Sequence, residues 1–595
     1  MAKSADRKLL TPWGEKLDKN NVLPEYPRPQ FERDSYINLN GVWQYAILPA
    51  AQDVTLYDGE ILVPFSPESI LSGVERTLQP NEKLNYRREF SIPAGFVKGR
   101  VLLNFGAVDY KAEVYVNGIF VGDHKGGYLP FSFDITESLK DGVNELIVVV
   151  TDPSDKGVQA TGKQRLKNSG IWYTPTSGIW QTVWLESVPE VYAEAIRITP
   201  DLETNSVNFK LKTKFNEKGW IKVLDGDKVL AEGEIEKELT LTLKNYECWC
   251  PENPKLYDVE LTYGEDKVKS YFGMRSFTIQ KDEMGFKRLC LNGKPYFQNG
   301  LLDQGYWSDG LYTPCSDEAM IYDIQTMKDM GFNMLRKHIK VEPMRWYYHC
   351  DRLGMLVWQD MISGGDDAFR ARAIMIYPAL ALGTLIRKAG MCNDGPKNYK
   401  LFSRASKETR DEYYEDMYNM MDTLMNVVSL CMWVPFNEGW AQFDSLKACA
   451  MIRAYDPTRF LDHASGWHDQ GGPDVRSFHI YFTKYAYPKF NKDDDRPVAL
   501  TEFGGFSHVV DGHVHNPDTV FGYRIYKTRE SFIYHYKKLF EKTIIPHIKE
   551  KGLSATVYTQ VSDVQDEVNG LLTYDRQVVK IPIDVMKEIN EKMKY

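Results

Sequence analysis

After Arg275 the sequence alternates short apolar strand patterns with helical patterns, and this alternation constrains the fold more than any other feature. Repeated strand–helix units of this kind predict a parallel sheet. Eight strands in this order predict a (β/α)8 TIM barrel. The predicted strands are Tyr296–Asp303, Asn333–His338, Met355–Asp360, Ser429–Val434, Phe460–Ser465, Ser477–Tyr481, Pro497–Glu502 and Ala555–Val561.

Two of these predicted strands end in a carboxylate. The apolar run 429–434 is followed closely by Glu438, and the run 497–501 is followed at once by Glu502 and a glycine pair. The chemistry of such barrels lies at the carboxyl ends of the strands, so we expect the two side chains to face each other across a pocket. Hydrolysis of a glycoside with retention needs such a pair, separated by roughly 5 Å.

The neighbours of the two carboxylates suggest a role for each. Asn437 directly precedes Glu438, and an amide there can hold a sugar hydroxyl beside the reacting carbon. We therefore predict Glu438 as the acid/base, with a pKa raised by burial or by the neighbouring negative charge. Glu502 is then the nucleophile, and the phenol of Tyr481, at the end of the preceding strand, could orient it. A glutamate at a strand end can equally be an ordinary salt-bridge partner.

Further polar and aromatic side chains near the predicted strand ends are candidates for sugar binding. Arg336 and His338 are two residues apart on one strand and therefore share a face. Each candidate could instead be a satisfied polar group inside the barrel or, for the tryptophan, ordinary packing. The complete set of predicted substrate-binding residues is Asp303, Arg336, His338, Asn437, Trp440, Tyr481 and Gln560.

The sequence gives little sign of a metal or cofactor site. His508, His513 and His515 follow Glu502, but they lie in a segment rich in Gly, Asp and Asn, and their spacing matches no known metal motif. Phosphate-binding glycine patterns and a G-x-S-x-G nucleophile elbow are not present in the sequence. We therefore expect no metal and no cofactor, with a metal-assisted hydrolase as a minor alternative.

The part of the chain before the barrel is rich in short strands. Residues 1–187 predict a jelly-roll-like β-sandwich, in which Asn117-Gly118 between two β-prone runs is a strong hairpin signal. A loop near its end, around Gly170, could reach the pocket of another domain or be a plain connection. Residues 188–277 predict an immunoglobulin-like sandwich, and the catalytic barrel then occupies residues 278–595. Within the barrel, residues 362–428 are too long for a simple connection and predict a cap over the pocket or a surface elaboration.

Composition narrows the range of partners. The formal net charge of −9 over 595 residues, without a basic run, argues against nucleic-acid binding. No segment approaches the roughly 20 apolar residues of a membrane span. The N-terminus has no apolar signal core, which predicts a cytoplasmic protein, or a periplasmic or secreted one if a signal peptide was removed. The expected partner is a carbohydrate, and assembly into a homo-oligomer is left open.

Taken together, these motifs resemble glycoside hydrolase family 2, the group of β-galactosidases, β-glucuronidases and β-mannosidases. The resemblance covers most of the chain, from the Leu-Asn-Gly-Val-Trp motif at 39–43 onward. The segments that carry it are Leu39–Trp43, Ala112–Gly118, Gly178–Leu185, Trp249–Tyr257, Asn333–His338, Asn437-Glu438 and Thr501–Gly504. It implies a sugar-binding-like first domain and a retaining mechanism with Glu438 as acid/base and Glu502 as nucleophile.

The sequence also departs from the family pattern. The family's Arg-x-Ser-His-x-Pro is here Arg336-Lys-His338-Ile-Lys, and the Asn-x-Lys carboxylate clamp of the glucuronidases is not evident after Glu502. Lys337 and Lys340 could replace that clamp. We predict a retaining exo-β-glycosidase that acts on β-galactosides by double displacement. The alternatives are a β-glucuronidase, β-galacturonidase or other family specificity, and, in another class, a non-catalytic carbohydrate-binding protein.

Overall fold

The structure is a computed structural model that describes residues 8–366, 393–481, 494 and 496–595. The first part of the chain is a β-sandwich. Two main sheets, of six and four strands, enclose an apolar core that includes Trp43, Phe105 and Leu185. The six-stranded sheet contains Gly41–Pro49, Gly59–Val63, Glu82–Ser91, Lys111–Val116, Ile119–Lys125 and Val143–Thr151. The four-stranded sheet contains Tyr36–Asn38, Arg100–Phe105, Phe131–Asp134 and Val183–Val188, and a short pair joins Val108–Asp109 to Gly178–Ile179.

A second, smaller sandwich follows. Its sheets have three and four antiparallel strands, and alternate residues such as Val259 and Leu261 point into the shared core. The strands are Ala195–Asp201, Ser206–Lys212 and Glu238–Thr242 in one sheet, and Gly219–Asp225, Lys228–Ile235, Tyr257–Tyr263 and Asp266–Phe272 in the other. This arrangement is that of an immunoglobulin-like domain. A small sheet of Phe277–Lys281, Lys287–Leu291 and Lys294–Pro295 leads into the barrel.

Eight parallel strands form one curled sheet, as the alternating pattern predicts. In chain order the barrel strands are Gln298–Asp303, Met334–Lys337, Leu356–Asp360, Leu430–Val434, Phe460–Leu461, Arg476–Ile480, Val498–Gly504 and Leu553–Thr559. The order across the sheet runs from the fifth strand down to the first, then to the eighth, seventh and sixth. The predicted fold class, two sandwiches followed by a TIM barrel, is confirmed.

The barrel has a seam between its fifth and sixth strands. Their backbone ladder is not continuous, and residues 462–475, all of them described, run as turns and bends without the usual helix. Side chains bridge the seam instead. The hydroxyl of Ser477 donates to Asp462 at 2.8 Å and accepts from the backbone N–H of Gly466 at 3.1 Å.

Helices pack around the described part of the barrel. Ser316 caps the first of them, because its hydroxyl accepts from the N–H of Ala319. The α-helices are Asp317–Asp329, Met344–Leu353, Lys407–Leu424, Ser445–Tyr455, Arg529–Leu539, Ile545–Lys551 and Ile583–Asn590, with a π-helical turn at Phe540–Ile544. None of the helices within the described ranges is long and apolar enough to span a membrane.

The predicted cap, residues 362–428, can be compared with the structure only in part, because residues 367–392 lie outside the described residues. The helix Lys407–Leu424 belongs to the outer layer, where Met417, Met421 and Leu424 join the apolar cluster outside the strands. This helix is therefore an ordinary barrel helix rather than a lid over the pocket.

Alternation along the strands separates inner from outer side chains. Met334 and Trp358 belong to the inner core, and Arg336 and Asp360, two residues farther along the same strands, point the same way. Leu335 and Val357 face the helices. The polar inner residues lie at the carboxyl ends of their strands, where the barrel opens.

Candidate active site

Glu438 and Glu502 meet at the carboxyl end of the barrel. A carboxylate oxygen of each, together with a ring nitrogen of His479, all lie within 4.8 Å of one another. The Glu502 side chain is 6% exposed and that of Glu438 is 12% exposed, so both are mostly removed from solvent. The structure thus brings together the two residues that the sequence analysis selected as a catalytic pair.

Glu438 is aimed into the barrel by the turn that follows the fourth strand. Its backbone has a left-handed conformation with φ of 50°, and its N–H donates to the carbonyl of Ser465 at 3.0 Å. The next residue, Gly439, is also left-handed, and a Cβ there would lie 2.4 Å from the ring of His468. A glycine is therefore required for this turn to pack.

An irregularity in the seventh strand places Glu502. The register against the eighth strand shifts between Leu500 and Phe503, and that against the sixth shifts at the same level. Such a bulge lets consecutive residues face the same side. Thr501 points inward, where its hydroxyl accepts from that of Ser465 at 3.0 Å, and Glu502 also points into the barrel, whereas Phe503 joins the outer core.

Two donors hold the carboxylate of Glu502. The hydroxyl of Tyr481 donates to Oε2 at 2.6 Å, and Nη1 of Arg336 donates to Oε1 at 3.2 Å. The phenol lies 2.8 Å from the hydroxyl of Thr559, and its ring stacks on Tyr523 with centroids 3.9 Å apart. The predicted orienting role of Tyr481 thus has the required geometry, and Arg336 is a second group that holds the carboxylate of Glu502.

Arg336 connects several of the predicted residues. It makes a two-pronged pair with Asp360, at 2.9 and 3.0 Å, and donates to the amide oxygen of Asn437 at 2.8 Å. This contact orients Asn437 so that its Nδ2 is buried without a partner among the described residues. A buried amide donor beside two carboxylates is suited to a sugar hydroxyl.

His338 is held by the same aspartate. Its Nδ1 lies 2.8 Å from Oδ2 of Asp360. Burial is the main cause that lowers the pKa of His338 well below its usual value, and nearby cations lower it further, so the ring is neutral at pH 7. A neutral ring that donates from Nδ1 to a carboxylate leaves Nε2 as an acceptor. His338 can therefore accept a hydrogen bond from a hydroxyl, as expected for a sugar-binding residue.

His479 is a member of the site that the sequence analysis missed. Its Nδ1 lies 2.8 Å from Glu438 and 3.6 Å from Glu502, and its Nε2 lies 3.0 Å from the hydroxyl of Ser465. Burial lowers the pKa of His479 to about 4, against the opposing effect of Glu502, so the imidazole is neutral. Its alternation with Ser477 and Tyr481 on one strand face was a signal that could have revealed it.

Electrostatics distinguish the two glutamates. Burial raises the pKa of Glu438 to about 7, against the opposing charges of Lys163 and Arg336. Burial also raises the pKa of Glu502, and there His479 and Arg336 oppose it. Glu502 has a guanidinium and a phenol as donors, so its charge is the better stabilised of the two. A pair that shares one proton would therefore carry it on Glu438.

A loop of the first sandwich, residues 152–177, completes the wall of the site. The N–H groups of Thr161 and Gly162 both donate to the carbonyl of Ser363, at 2.9 Å each, at the end of the third barrel strand. The ring of Trp172 stacks on Trp440, with centroids 5.1 Å apart and planes 19° apart. Of the two interpretations that the sequence allowed, a loop that reaches another domain's pocket is the one the structure shows.

Trp440 itself is largely covered. It is 6% exposed, one ring face packs on Trp172, and its Nε1 is buried without a partner among the described residues. The predicted role as a free stacking platform for sugar is therefore corrected, because the sandwich loop occupies part of that surface. Its remaining polar atom is the indole N–H.

Two predicted sugar-binding residues lie elsewhere. Asp303 points outward, where Oδ2 pairs with Lys337 at 2.7 Å and Oδ1 accepts from the N–H of Gly305 at 3.0 Å. Gln560 is fully buried, and its amide is used at both ends, by Gln304 and Asn569 at 2.8 Å each. The predicted contacts of Asp303 and Gln560 with substrate are corrected, because these side chains serve internal networks.

The proposed substitutes for a carboxylate clamp are also engaged. Lys337 bridges Asp303 and Glu342, and Lys340 binds Glu342 at 2.9 Å together with the carbonyls of Gly305 and Tyr312. Both ammonium groups are almost fully buried in this cluster. The suggestion that they replace the clamp is therefore wrong.

The three histidines after Glu502 do not converge. His513 pairs with Asp575 at 2.7 Å, the ring of His508 stacks on Phe532, and that of His515 meets Tyr574 edge-on. Within the described ranges, the one group of three potential metal-ligating side chains is Glu438, His479 and Glu502. A metal hypothesis would therefore have to involve the glutamate pair itself.

Sequence models of a known family match most of the chain. The model described as "Glycosyl hydrolases family 2, TIM barrel domain" matches residues 283–595. The sugar binding domain of the same family matches residues 67–189, and "Glycosyl hydrolases family 2" matches residues 191–275. The chain therefore belongs to glycosyl hydrolase family 2, and the resemblance noted in the sequence is confirmed.

One curated relative aligns with most of the chain. The chain is 26% identical over 517 residues to a β-galactosidase of Streptococcus thermophilus, and the aligned region covers 83% of the chain and 46% of that protein. Thus the chain spans less than half of the length of this curated relative.

Solved structures share the fold over nearly their whole length. A β-glucuronidase of an uncultured Clostridium sp. superposes with a TM-score of 0.72 at 18% identity, covering 95% of this chain and 99% of that one. A β-galacturonidase of Eisenbergiella tayi bound to galacturonate gives a TM-score of 0.69 at 20% identity, covering 96% and 99%. At these identities the similarity establishes the fold.

Proposed function

We propose that this chain is a retaining exo-β-glycosidase that removes terminal β-linked sugars by double displacement. The observation that carries the proposal is the spacing of the glutamate pair, in which one carboxylate oxygen of Glu438 lies within 4.8 Å of one of Glu502. Retaining enzymes place their carboxyl groups about 5 to 5.5 Å apart, whereas inverting enzymes leave room for a water at roughly 6.5 to 9.5 Å. The family membership supports the same class of reaction.

In the first half of the proposed reaction, the ionised Glu502 attacks the anomeric carbon while the bond to the aglycone breaks. Glu438 gives its proton to the departing oxygen. Its pKa of about 7 lets a large fraction of the molecules carry that proton near neutral pH. The amide of Asn437 is placed to bind a hydroxyl of the sugar as the transition state forms.

In the second half, water attacks the glycosyl ester and gives a proton to Glu438, and the carboxylate of Glu502 is released. Glu438 must therefore serve in two protonation states. His479 suits this requirement, because a neutral imidazole can donate to a carboxylate or accept from a carboxylic acid. The hydroxyl of Ser465 donates to Thr501 and can accept from Nε2 of the ring, which matches the tautomer whose Nδ1 accepts from protonated Glu438.

The named activities of similar proteins bear on the identity of the sugar. The sequence predicts β-galactosides, and the named activity of the Streptococcus thermophilus relative supports that prediction. The names of the similar structures, a β-glucuronidase and a β-galacturonidase, favour the uronide alternative. We keep both substrates as candidates of one proposed activity.

A panel of 4-nitrophenyl β-glycosides tests the proposal. It contains β-D-galactoside, β-D-glucuronide, β-D-galacturonide, β-D-mannoside and α-L-arabinoside, and turnover of at least one is expected. Proton NMR at early times should first show the released sugar with the anomeric configuration of its substrate, as retention requires. Sugar binding without turnover would instead support the non-catalytic alternative, and initial release of the opposite anomer would contradict retention.

A further inference from the structure

One cation beside the proposed active site comes from another domain. Lys163 lies on the loop 152–177 of the first sandwich, directly after Gly162, whose N–H is anchored to the barrel. The carbonyl of Lys163 accepts from the N–H of Tyr173 at 3.0 Å, which fixes the loop on itself. The docked loop thus holds this lysine at a defined place in the wall of the pocket.

The ammonium of Lys163 is surrounded by aromatic rings. Its Nζ lies 5.7 Å from the ring centroid of Tyr173 and 5.8 Å from that of Trp440. The residue is 7% exposed, and its ammonium has no hydrogen bond or ion pair with any residue that the structure describes. Its charge acts on both glutamates of the pair and on His338. The ammonium therefore lies near the space in which the sugar would bind.

A buried ammonium without an anion is costly, and cation–π contacts offset only part of that cost, about 0.5–2 kcal/mol. Three other cations at this end of the barrel have anionic partners. Arg336 pairs with Asp360 and Glu502, and the two lysines at 337 and 340 bind Glu342. Lys163 is the cation in this group whose partner remains to be supplied.

We propose that Lys163 binds the carboxylate of a uronic acid and so sets the specificity of the site for acidic sugars. This inference rests on the proposed glycosidase function and deepens it by naming the substrate class. The tyrosine and tryptophan rings present the ammonium within a low-dielectric wall, where its attraction to a carboxylate is stronger than in water. The first sandwich thereby supplies a specificity residue to a site built by the barrel.

A different role for the same charge would be to adjust the pKa of Glu438, which the ammonium lowers against the dominant effect of burial. The two roles predict different results. Recognition of a substrate carboxylate concerns acidic sugars alone. Adjustment of Glu438 would affect every substrate to the same degree and would move the basic limb of the pH profile.

The test compares Lys163→Met and Lys163→Arg with the wild-type protein on 4-nitrophenyl β-D-glucuronide, β-D-galacturonide, β-D-galactoside and β-D-glucoside. Methionine keeps an apolar stem against the rings. A matched control is Lys167→Met, which removes the same charge from an exposed position on the same loop. Circular dichroism and thermal melting confirm that each variant is folded.

We expect a uronide to be the best wild-type substrate. Lys163→Met should lower kcat/KM for that uronide by about 10- to 150-fold, the range for loss of a hydrogen bond to a charged group, mainly through KM. The neutral glycosides should change by less than about threefold, and Lys163→Arg should restore part of the uronide activity. Lys167→Met should behave as wild type.

Equal losses on acidic and neutral sugars, or a wild type that hydrolyses neutral glycosides and no uronide, would overturn the inference and leave the proposed function intact. Failure of the proposed function would appear differently, as no turnover of any glycoside. In that case calorimetry with free glucuronate and galacturonate still decides the role of Lys163. Binding that Lys163→Met abolishes would support it, and no binding or unchanged binding would overturn it.

Discussion

The contact between Tyr481 and Glu502 gives a prediction that can be worked out from the structure. Tyr481→Phe removes one hydrogen bond of 2.6 Å to a buried carboxylate and retains the ring that stacks on Tyr523. Hydrogen bonds to charged groups contribute about 1.5–3 kcal/mol. If the whole contribution is lost in the transition state, kcat/KM falls by about 10- to 150-fold. Arg336 still holds the other oxygen, so activity should be reduced rather than abolished.

The pH profile gives this prediction a direction as well as a size. Burial raises the pKa of Glu502, and a phenol that donates to the charged form acts against burial. Removal of the phenol therefore raises the pKa further, and the acid limb of kcat/KM should move to higher pH. The assay measures kcat/KM against pH with the best aryl glycoside, with Tyr534→Phe, an exposed tyrosine, as the control. An unchanged kcat/KM, or a loss with the acid limb in its original place, would refute the reasoning.

Three further predictions address the acid, an internal network and the metal hypothesis. Glu438→Gln should lower kcat/KM for substrates with poor leaving groups by about 10²- to 10⁴-fold. It should also remove the basic limb of the pH profile near pH 7, because that limb arises in the wild type when Glu438 loses its proton. A variant that retains the limb would assign the limb to another group. Asp303→Asn should lower the free energy of unfolding, measured in urea, by about 1.5–3 kcal/mol, because Asp303 pairs with Lys337 away from the pocket. The kcat/KM of the folded fraction should stay within about threefold of the wild-type value. A loss of activity without a loss of stability would show that Asp303 belongs to the active site. Incubation with EDTA should leave activity unchanged, whereas a loss that a divalent ion reverses would show that Glu438, His479 and Glu502 hold a metal.

The positions of the strand ends could be predicted because they depend on local patterns. The apolar run 429–434 is found as Leu430–Val434, and the carboxylate after it enters the pocket as expected. Spacing of two residues placed Arg336 and His338 on one face, and both are inner residues whose side chains reach Asp360. Local apolarity and alternation determine these features, so the sequence contains them.

The partners of the polar residues were harder to predict, because they depend on residues distant in the chain. Asp303 lies at the end of its strand, much as Glu438 does, yet its side chain points outward. Leu302 faces the inside of the barrel, and the next residue along a strand faces the opposite side, which is the one local sign of this orientation. The bulge that turns Glu502 inward arises from a register shift between strands, which no local pattern records. Lys163 is separated from the glutamates by hundreds of residues, and only the docking of the sandwich loop brings it to the site.

The most direct test of the two glutamate roles is azide rescue of alanine variants with an activated aryl β-glycoside. For Glu502→Ala, we expect very low activity that azide restores, with an α-glycosyl azide as the product seen by NMR. For Glu438→Ala, we expect a β-glycosyl azide, because the nucleophile is intact and azide attacks the covalent intermediate. The opposite assignment of anomers, or full activity of Glu502→Ala without azide, would contradict the central claim that this pair performs double displacement.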